Sequence, residues 1–476
     1  MDALLDLRPD GPRGKLRAGA AALDVTPATS AGVPLAGYGG EPRRKFTVVN
    51  IPAHIAAVLG NCYDPVPGGA ASLFEPAQGV HDPIMARALV LDSGDTKAAI
   101  VKVDTIGVTR QLRDDVEAQA VKLGIPRQNL IVAGAHTHSG PGAASNNQLF
   151  GLIATDCYHA PTYQALLGKI VAALKQADAA LQPAAIGIDS TSEQRASKNR
   201  MGKPNILDTE LGLIKIVGDG GGTIAAVMSF AVHGTCLDAD NMLFSADVIG
   251  ATERELEKLV GGVAIFLNGS EGDVAPAQRG FDGAATIGGY LAESAHKLWP
   301  SVATQPSIEI AGSFSDVPMP KATYRGCLPL FGDGKTLCDY LPGLTLPIDQ
   351  WMQKVLPFAA LRLGDVVLAT VPGEPTTTVG QQIKAAGKAR GFRRTYVVGL
   401  ANDHMSYVTT PDEYAEIDQY EAQSTLYGPT TGTIVVSSAT KAIDAVKPTG
   451  WPDAGIAPID LGPPDASSPA DAADAH

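Results

Sequence analysis

Two histidines stand one residue apart in the stretch "AHTHSGPG", residues 135–142, directly after the apolar run "NLIVAG". In an extended strand, residues i and i+2 project to the same face, so His136 and His138 could approach one metal ion or one substrate. The pair could also lie in a Gly-rich turn without a chemical role, because H-x-H alone is a weak signal. The choice between a functional pair and a structural turn depends on whether other parts of the chain supply matching metal ligands or catalytic groups.

A third histidine has a similar setting. His233 ends "TIAAVMSFAVHG", another apolar run followed by a turn. A single histidine there is usually a hydrogen-bonded core or edge residue. Functional sites of α/β sheets lie at the edge where strand ends converge, so two strands that both end in histidine are expected to meet there.

A catalytic zinc site needs about four nitrogen, oxygen or sulfur ligands, with one position left open for water. Glu374 in "LATVPGEPTTTVG" follows an apolar run and precedes a helical pattern. It is either a charge at a helix terminus or a site residue. Asp273 in "FLNGSEGDVAP" and Asp247 in "FSADVIG" have the same two interpretations, since both could cap helices or turns.

The elements that must position these residues alternate between strand-like and helical patterns. Apolar runs such as "KAAIVKVDT" and "VVLATVPG" predict buried strands, and "TYQALLGKIVAALKQADAAL" predicts an amphipathic helix. The pattern favours one large α/β domain. The Pro/Gly-rich segment from Pro318 to Pro347 is predicted to be a long loop, and the Pro/Ala/Asp-rich end from Trp451 a flexible tail.

Composition limits the function. The chain has 476 residues, a formal net charge of −13 and no basic stripe, which argues against a nucleic-acid partner. A hydrophobic content of 45% predicts a substantial core, and no apolar run is as long as a membrane-spanning helix. The first residues lack the pattern of a signal peptide.

The five cysteines form no C-x-x-C pair, which disfavours a zinc knuckle. Cys327 and Cys338 flank "GCLPLFGDGKTLC", whose turn could bring them together. They are either bridged by a disulfide or two unrelated thiols.

Several motifs then occur in a characteristic order: "HDPIMARALVL", "GAHTHSGPG", "KNRMG", "FAVHGT", "SADVIG", "NGSEGDVAP", "VPGEPTTTVG", "SYVTTPDEY" and "YEAQSTLYGP". Their collinearity resembles the catalytic domain of the neutral/alkaline (non-lysosomal) ceramidase family. The resemblance implies an α/β fold of layered mixed β-sheets flanked by helices. It also implies an N-terminal extension over 1–17, a zinc hydrolase domain over 18–445 and a tail over 446–476.

The resemblance implies a site with one catalytic Zn²⁺. Its ligands would be His136, His233, Glu374 and Tyr407, of which Tyr407 would be the last ligand or lie close to the metal. His138 would lie beside the substrate amide without binding metal, and Arg200 would reach into the site. Tyr407 and Arg200 rest on the resemblance alone.

The implied reaction is hydrolysis of an N-acyl amide bond, in ceramide or a related N-acyl lipid or amine, by attack of a zinc-bound hydroxide. His138 would transfer the proton to the leaving nitrogen, and Tyr407 and His138 would stabilise the developing negative charge. Family members often have "GDVSP" where this chain has "GDVAP", so Ala275 excludes a serine nucleophile at that position. The chain also ends soon after "STLYGP", without the immunoglobulin-like domain expected after it.

The alternatives are hydrolysis of an ester, lactone or cyclic amide at the same metal, and a family member that binds a ligand without turnover. The expected partner is a small N-acyl amide or lipid substrate, with peripheral contact to lipid surfaces left open. The family implies a periplasmic or secreted location, although the sequence does not exclude the cytoplasm.

Overall fold

The computed structural model describes residues 15–44, 55, 62, 69–325 and 345–451. Its strands are β1 Arg17–Asp24, β2 Gly79–Val80, β3 Met85–Asp92, β4 Lys97–Val103, β5 Leu130–Gly134, β6 Gln182–Ser192, β7 Ser197–Asn199, β8 Glu210–Gly218, β9 Thr223–Phe230, β10 Leu243–Phe244, β11 Val263–Asn268, β12 Val274–Pro276, β13 Ile310–Pro318, β14 Thr323–Tyr324, β15 Leu346–Pro347, β16 Val355–Leu363, β17 Val366–Thr370, β18 Glu374–Pro375, β19 Arg394–Val398 and β20 Tyr407–Val408. Its α-helices are α1 Arg110–Ala120, α2 Gln148–Phe150, α3 Ala160–Ala179, α4 Asp247–Val260, α5 Gly280–Leu298, α6 Thr377–Ala389, α7 Pro411–Ala415, α8 Tyr420–Gln423 and α9 Thr431–Val446.

The largest sheet has eight strands in the order β11-β9-β8-β6-β1-β3-β4-β5. It mixes antiparallel pairs with the parallel pairs β4–β5 and β9–β11. Strands β1 and β6 share only the pairs Arg17↔Pro183 and Ala18↔Gln182, so the sheet consists of two four-stranded halves joined by a short contact. Apolar side chains from both halves, including Ile100, Ile131 and Ile265, form one buried cluster. The halves therefore share an interior.

A second sheet, in the order β13-β16-β17-β19, completes that interior from another side. Helices cover the outer surfaces. Helices α1 and α3 pack on the half that contains β1, β3, β4 and β5, and α4 and α5 pack on the half that contains β9 and β11. Helices α6 and α9 pack on the second sheet. The predicted fold of layered mixed sheets flanked by helices is confirmed.

The sequence patterns located most elements. The amphipathic run from 162 to 181 corresponds to α3, and the strand-like runs quoted above correspond to β4 and β17. The predicted loop between Pro318 and Pro347 contains the short paired strands β14 and β15. Among the described residues, no helix combines the length and apolarity needed to cross a bilayer.

A disulfide joins Cys62 to Cys157. Next to it, the buried Asp156 carboxylate accepts hydrogen bonds from the backbone N–H groups of Ser72, Leu73 and Phe74, at 2.9–3.2 Å. The bond and these contacts tie Cys62 and residues 72–74 to the segment before α3. Cys327 and Cys338, for which a bridge and two separate thiols were both left open, lie outside the described residues, as do the N-terminal extension up to residue 14 and the tail from 452.

Candidate metal centre

The two histidine-bearing loops lie side by side. Strand β5 ends two residues before His136, and β9 ends three residues before His233. A parallel bridge between Thr137 and Gly234 joins the loops. A Cβ atom at position 234 would lie 2.5 Å from the carbonyl oxygen of His136, so only glycine permits this approach. The two strands therefore deliver both imidazoles to one place, although they belong to opposite halves of the large sheet.

The carboxylate comes from the second sheet. Glu374 follows β17 and pairs with Tyr407 in the short parallel ladder between β18 and β20. Its backbone N–H donates to the carbonyl oxygen of Ser406 at 3.0 Å. Glu374 and Tyr407 are therefore fixed as neighbours by backbone pairing, and both are at most 5% exposed.

Strand alternation does not explain how His136 and His138 come together, and that part of the prediction is wrong. Strand β5 ends at Gly134, and His136 has a left-handed φ of 68°. A non-glycine residue adopts this conformation only when its surroundings enforce it. The hydrogen bond from the N–H of His136 to the carbonyl oxygen of Thr105 contributes to that constraint. The rings of His136 and His138 lie 4.9 Å apart and perpendicular.

The two buried imidazoles direct their Nε2 atoms at the carboxylate. Nδ1 of His136 lies 2.7 Å from the carbonyl oxygen of Ile106, and Nδ1 of His233 lies 2.7 Å from that of Glu271. Because a carbonyl oxygen only accepts hydrogen bonds, each Nδ1 carries a proton. Each Nε2 lies close to Oε2 of Glu374, at 3.1 and 3.2 Å, and Oε2 is buried without a hydrogen-bond partner.

At least one of these imidazole nitrogens is free to bind a cation. Burial and the nearby guanidinium of Arg200 lower the pKa of His233 to about 3, so its Nε2 stays unprotonated near neutral pH. Burial disfavours the charged form of Glu374. The contacts with His136, His233 and His404 outweigh that effect and hold the pKa of the carboxyl well below its usual range. An ionised carboxylate facing imidazole lone pairs is a metal-binding arrangement.

The spacing also fits a small metal ion. Tetrahedral ligands placed about 2.0–2.1 Å from zinc lie roughly 3.3 Å from one another. The observed separations are 3.1 Å and 3.2 Å from Oε2 of Glu374 to the two imidazoles, and 3.1 Å from Nε2 of His233 to the Tyr407 phenol oxygen. The residues present therefore fit a divalent metal ion.

Arg200 holds the phenol of Tyr407. Its guanidinium donates to the phenol oxygen at 2.9 Å and is itself anchored by Glu421 at 2.5 Å and by the carbonyl oxygen of Gly272 at 2.8 Å. Burial raises the pKa of Tyr407 well above its ordinary value, so the phenol keeps its proton. Because Arg200 donates into the oxygen, the O–H is directed to an acceptor, and in this structure Nε2 of His233 lies 3.1 Å from the phenol oxygen.

His138 lies at the edge of the cluster. Its Nε2 is 3.4 Å from Nε2 of His136, and its buried Nδ1 has no hydrogen-bond partner. Tyr38 packs against its ring at a centroid distance of 4.8 Å. Burial, with His136 next in importance, lowers the pKa of His138 well below its usual value, which favours the neutral imidazole.

The chain matches the family model "neutral/alkaline non-lysosomal ceramidase, N-terminal" over residues 51–288 and 341–437. It belongs to this family. The neutral ceramidase of Pseudomonas aeruginosa is 26% identical, over 76% of this chain and 67% of its own length. That of Mycobacterium tuberculosis is 24% identical, over 79% and 73%.

A solved structure of a ceramidase complexed with C2 has the same fold. It superposes with a TM-score of 0.74 and 23% identity, over 91% of this chain and 75% of that one. As a member of the ceramidase family, the protein is a hydrolase of carbon–nitrogen bonds other than peptide bonds.

His404 is a residue of the ceramidase site that the sequence analysis missed. Its Nε2 lies 3.2 Å from Oε1 of Glu374, the oxygen that faces away from His136 and His233. A Cβ at Gly107 would come within 2.9 Å of the His404 ring, so the glycine leaves space for it. His136 was indicated because it follows a predicted buried strand. The same criterion indicates His404, which stands in the loop after β19.

The other two acidic candidates have structural contacts. Asp273 accepts hydrogen bonds from the backbone N–H and hydroxyl of Thr377, at 2.7 and 2.8 Å, where α6 begins. Asp247 accepts from the N–H groups of Cys236 and Leu237. Both carboxylates therefore organise the loops around the ceramidase site.

Proposed function

We propose that this chain is a zinc-dependent amidohydrolase that cleaves the N-acyl bond of ceramide or of a related N-acyl lipid or amine. The observation that carries the proposal is the shared position of Oε2 of Glu374, a buried oxygen without a hydrogen-bond partner that lies 3.1 and 3.2 Å from the Nε2 atoms of His136 and His233. These three residues and Tyr407 would hold the metal. When bound, zinc supplies a Lewis acid that polarises the amide carbonyl and lowers the pKa of water towards about 7.

The side chains of this protein supply proton transfer and charge stabilisation. Neutral His138 can accept a proton as the amide is attacked and return it to the leaving nitrogen, which cannot depart as an anion. The O–H of Tyr407, oriented by Arg200, can donate to the carbonyl oxygen as it becomes negative. Ala275 provides no nucleophilic hydroxyl in β12, which supports direct attack by water.

The disulfide supports a location outside the cytosol. Bridges such as Cys62–Cys157 persist in oxidising compartments and are rare where thiols are kept reduced. A periplasmic or secreted protein is therefore part of the proposal. Reductant-free labelling of the cysteines in intact cells and in the released fraction tests it, and a fully reduced Cys62–Cys157 pair in the native compartment would contradict it.

The function is tested by metal analysis together with a panel of N-acyl amides that includes ceramide. We expect about one equivalent of zinc per chain in the wild type. We expect loss of both metal and hydrolysis in His136→Ala and Glu374→Ala. His296→Gln, at an exposed position of α5, is the control. Hydrolysis at the wild-type rate by both site variants would refute the assignment.

A further inference from the structure

The proposed proton-transfer residue, His138, has no hydrogen bond that fixes its ring. Its Nδ1 is buried without a hydrogen-bond partner, and its Nε2 lies 3.4 Å from Nε2 of His136, which is long for a hydrogen bond. The rings of His136 and His233, in contrast, are each held at Nδ1 by a carbonyl oxygen at 2.7 Å. Because a displacement of about 1 Å can slow a catalysed reaction about a hundredfold, another contact must orient the imidazole of His138.

The ring of Tyr38 packs directly on this imidazole. The two centroids are 4.8 Å apart and the planes are tilted by 55°. This separation lies within the range of about 4.5–7 Å that favours aromatic pairs. The phenol O–H donates to the carbonyl oxygen of Leu237 at 2.9 Å, which anchors the far end of the Tyr38 ring. A Cβ atom at Gly37 would lie 2.6 Å from Cβ and Cγ of His138, so the glycine permits the close approach of the segment that carries Tyr38.

A buried guanidinium joins the same segment to the backbone of His138. Nη1 of Arg43 donates to the carbonyl oxygens of Ala36 at 3.0 Å and of His138 at 2.5 Å. Its other nitrogens donate to carbonyl oxygens in residues 238–241, at 2.9–3.3 Å. Its Cζ lies 4.9 Å from the centroid of the Tyr38 ring. Arg43 is 1% exposed, and burial lowers its pKa only to about 10, so it stays charged near neutral pH and links three segments around His138.

We propose that Tyr38 is a positioning residue for His138. Its ring holds the imidazole in the orientation from which the proton taken up from the attacking water reaches the leaving nitrogen as the carbon–nitrogen bond breaks. Packing thus replaces the hydrogen bond that Nδ1 lacks, and Arg43 fixes the Tyr38 segment relative to the His138 backbone. The inference rests on the proposed function, because it assigns a support to the proton-transfer residue of that reaction.

Two substitutions at position 38 form a matched pair. Tyr38→Phe keeps the ring on His138 and loses only the hydrogen bond to Leu237, whereas Tyr38→Leu removes the ring. For an N-acyl amide, Tyr38→Leu should lower kcat by about 10–100-fold with little change in KM, and Tyr38→Phe should restore most of that loss. Bound metal should stay at the wild-type level in both, because His138 is not a proposed ligand. Tyr290→Leu, at a ring that packs on Arg195 in α5, is the control.

The leaving group distinguishes positioning of His138 from general damage to the site. A p-nitrophenyl ester with the same acyl chain releases an anion that needs no proton, so its hydrolysis depends less on His138 than that of the amide. In Tyr38→Leu, the ratio of amide to ester kcat/KM should therefore fall by about tenfold or more. An equal loss for ester and amide, or unchanged turnover of the amide, would overturn the proposal.

Relaxation NMR separates this proposal from the proposed function. The chain has nine histidines, so the ring signals of ¹³C-labelled histidine can be assigned with His138→Gln. In chelator-treated protein, the His138 imidazole should be rigid in the wild type and in Tyr38→Phe and mobile in Tyr38→Leu. That result supports the positioning role even if no amide is hydrolysed. An equally rigid imidazole in Tyr38→Leu overturns it, even if ceramide is a substrate.

Discussion

Lys102, Asp104, Glu253 and Arg87 form a buried cluster of charged side chains between the large sheet and α4. The ammonium of Lys102 contacts Asp104 and lies 2.8 Å from Oε2 of Glu253, which is also 3.0 Å from Nε of Arg87. The remaining carboxylate oxygens accept backbone N–H groups. In this cluster every carboxylate faces a donor.

The cluster around Glu374 is equally buried, but its contacts are of a different kind. Oε2 of Glu374 faces Nε2 of His136 and of His233 without a hydrogen bond to either, and Nδ1 of His138 also has no partner. The carboxylates of the first cluster are paired without a ligand, whereas the second cluster leaves buried polar atoms without partners. Burial of charge alone therefore does not identify a functional site, whereas unpaired polar atoms beside buried imidazoles do.

The largest effect is expected when the carboxylate of the second cluster is neutralised. Glu374→Gln keeps the shape of the side chain but removes the charge that balances the metal. We expect turnover to fall by roughly a thousandfold or more, with loss of the bound metal. Denaturant unfolding in the presence of a chelator should give similar stabilities for variant and wild type. A variant that keeps its metal would contradict the ligand role.

The opposite result is expected in the first cluster. Lys102→Met removes the cation between Asp104 and Glu253, leaving Asp104 without a cation and Glu253 with Arg87 alone. We expect the free energy of unfolding to fall by about 3–5 kcal/mol. Lys258→Met, which removes an exposed ion pair with Glu255 on α4, should cost less than about 0.5 kcal/mol. Equal effects of the two substitutions would show that the buried cluster has no special role in stability.

Tyr407→Phe sharpens the distinction between metal binding and charge stabilisation. Removing the phenol oxygen should lower kcat by about 10²–10³-fold, since one donor to the negative oxygen is lost. Most of the metal should be retained by His136, His233 and Glu374. Tyr290→Phe on α5 provides the control. Unchanged turnover would remove the phenol from the mechanism.

The smallest effect is expected at His404, whose Nε2 lies 3.2 Å from the outer oxygen of Glu374. His404→Leu should weaken metal affinity by about 10–100-fold, because residues that orient metal ligands have effects of that size. His404→Gln retains an N–H donor and should recover part of the loss. Competition with a chromogenic chelator measures both. Wild-type affinity in His404→Leu would show that the hydrogen bond to Glu374 does not position the ligand.

The sequence was most informative where site residues follow strands. His136, His233 and Glu374 could be found because each stands just after an apolar run, and runs of this kind end together in layered α/β folds. Their meeting point was predicted on one sheet, whereas Glu374 comes from a second sheet. Local patterns do not encode how separate sheets pack, and the family resemblance supplied that information.

Residues in irregular segments were harder to predict. Tyr407 and Arg200 have no periodicity that distinguishes them from a core aromatic and a surface arginine, so only the resemblance indicated them. The left-handed backbone of His136 depends on Thr105 and Gly234, which are distant in sequence.

The proposed ligands extend from His136 to Tyr407 and come from opposite halves of one sheet and from another sheet. During synthesis, Tyr407 is added 271 residues after His136. Metal capture is therefore a late event, and an incompletely assembled molecule would bind the ion weakly. Metal retention can thus serve as a quality check for recombinant preparations, reporting whether the separate layers have come together correctly.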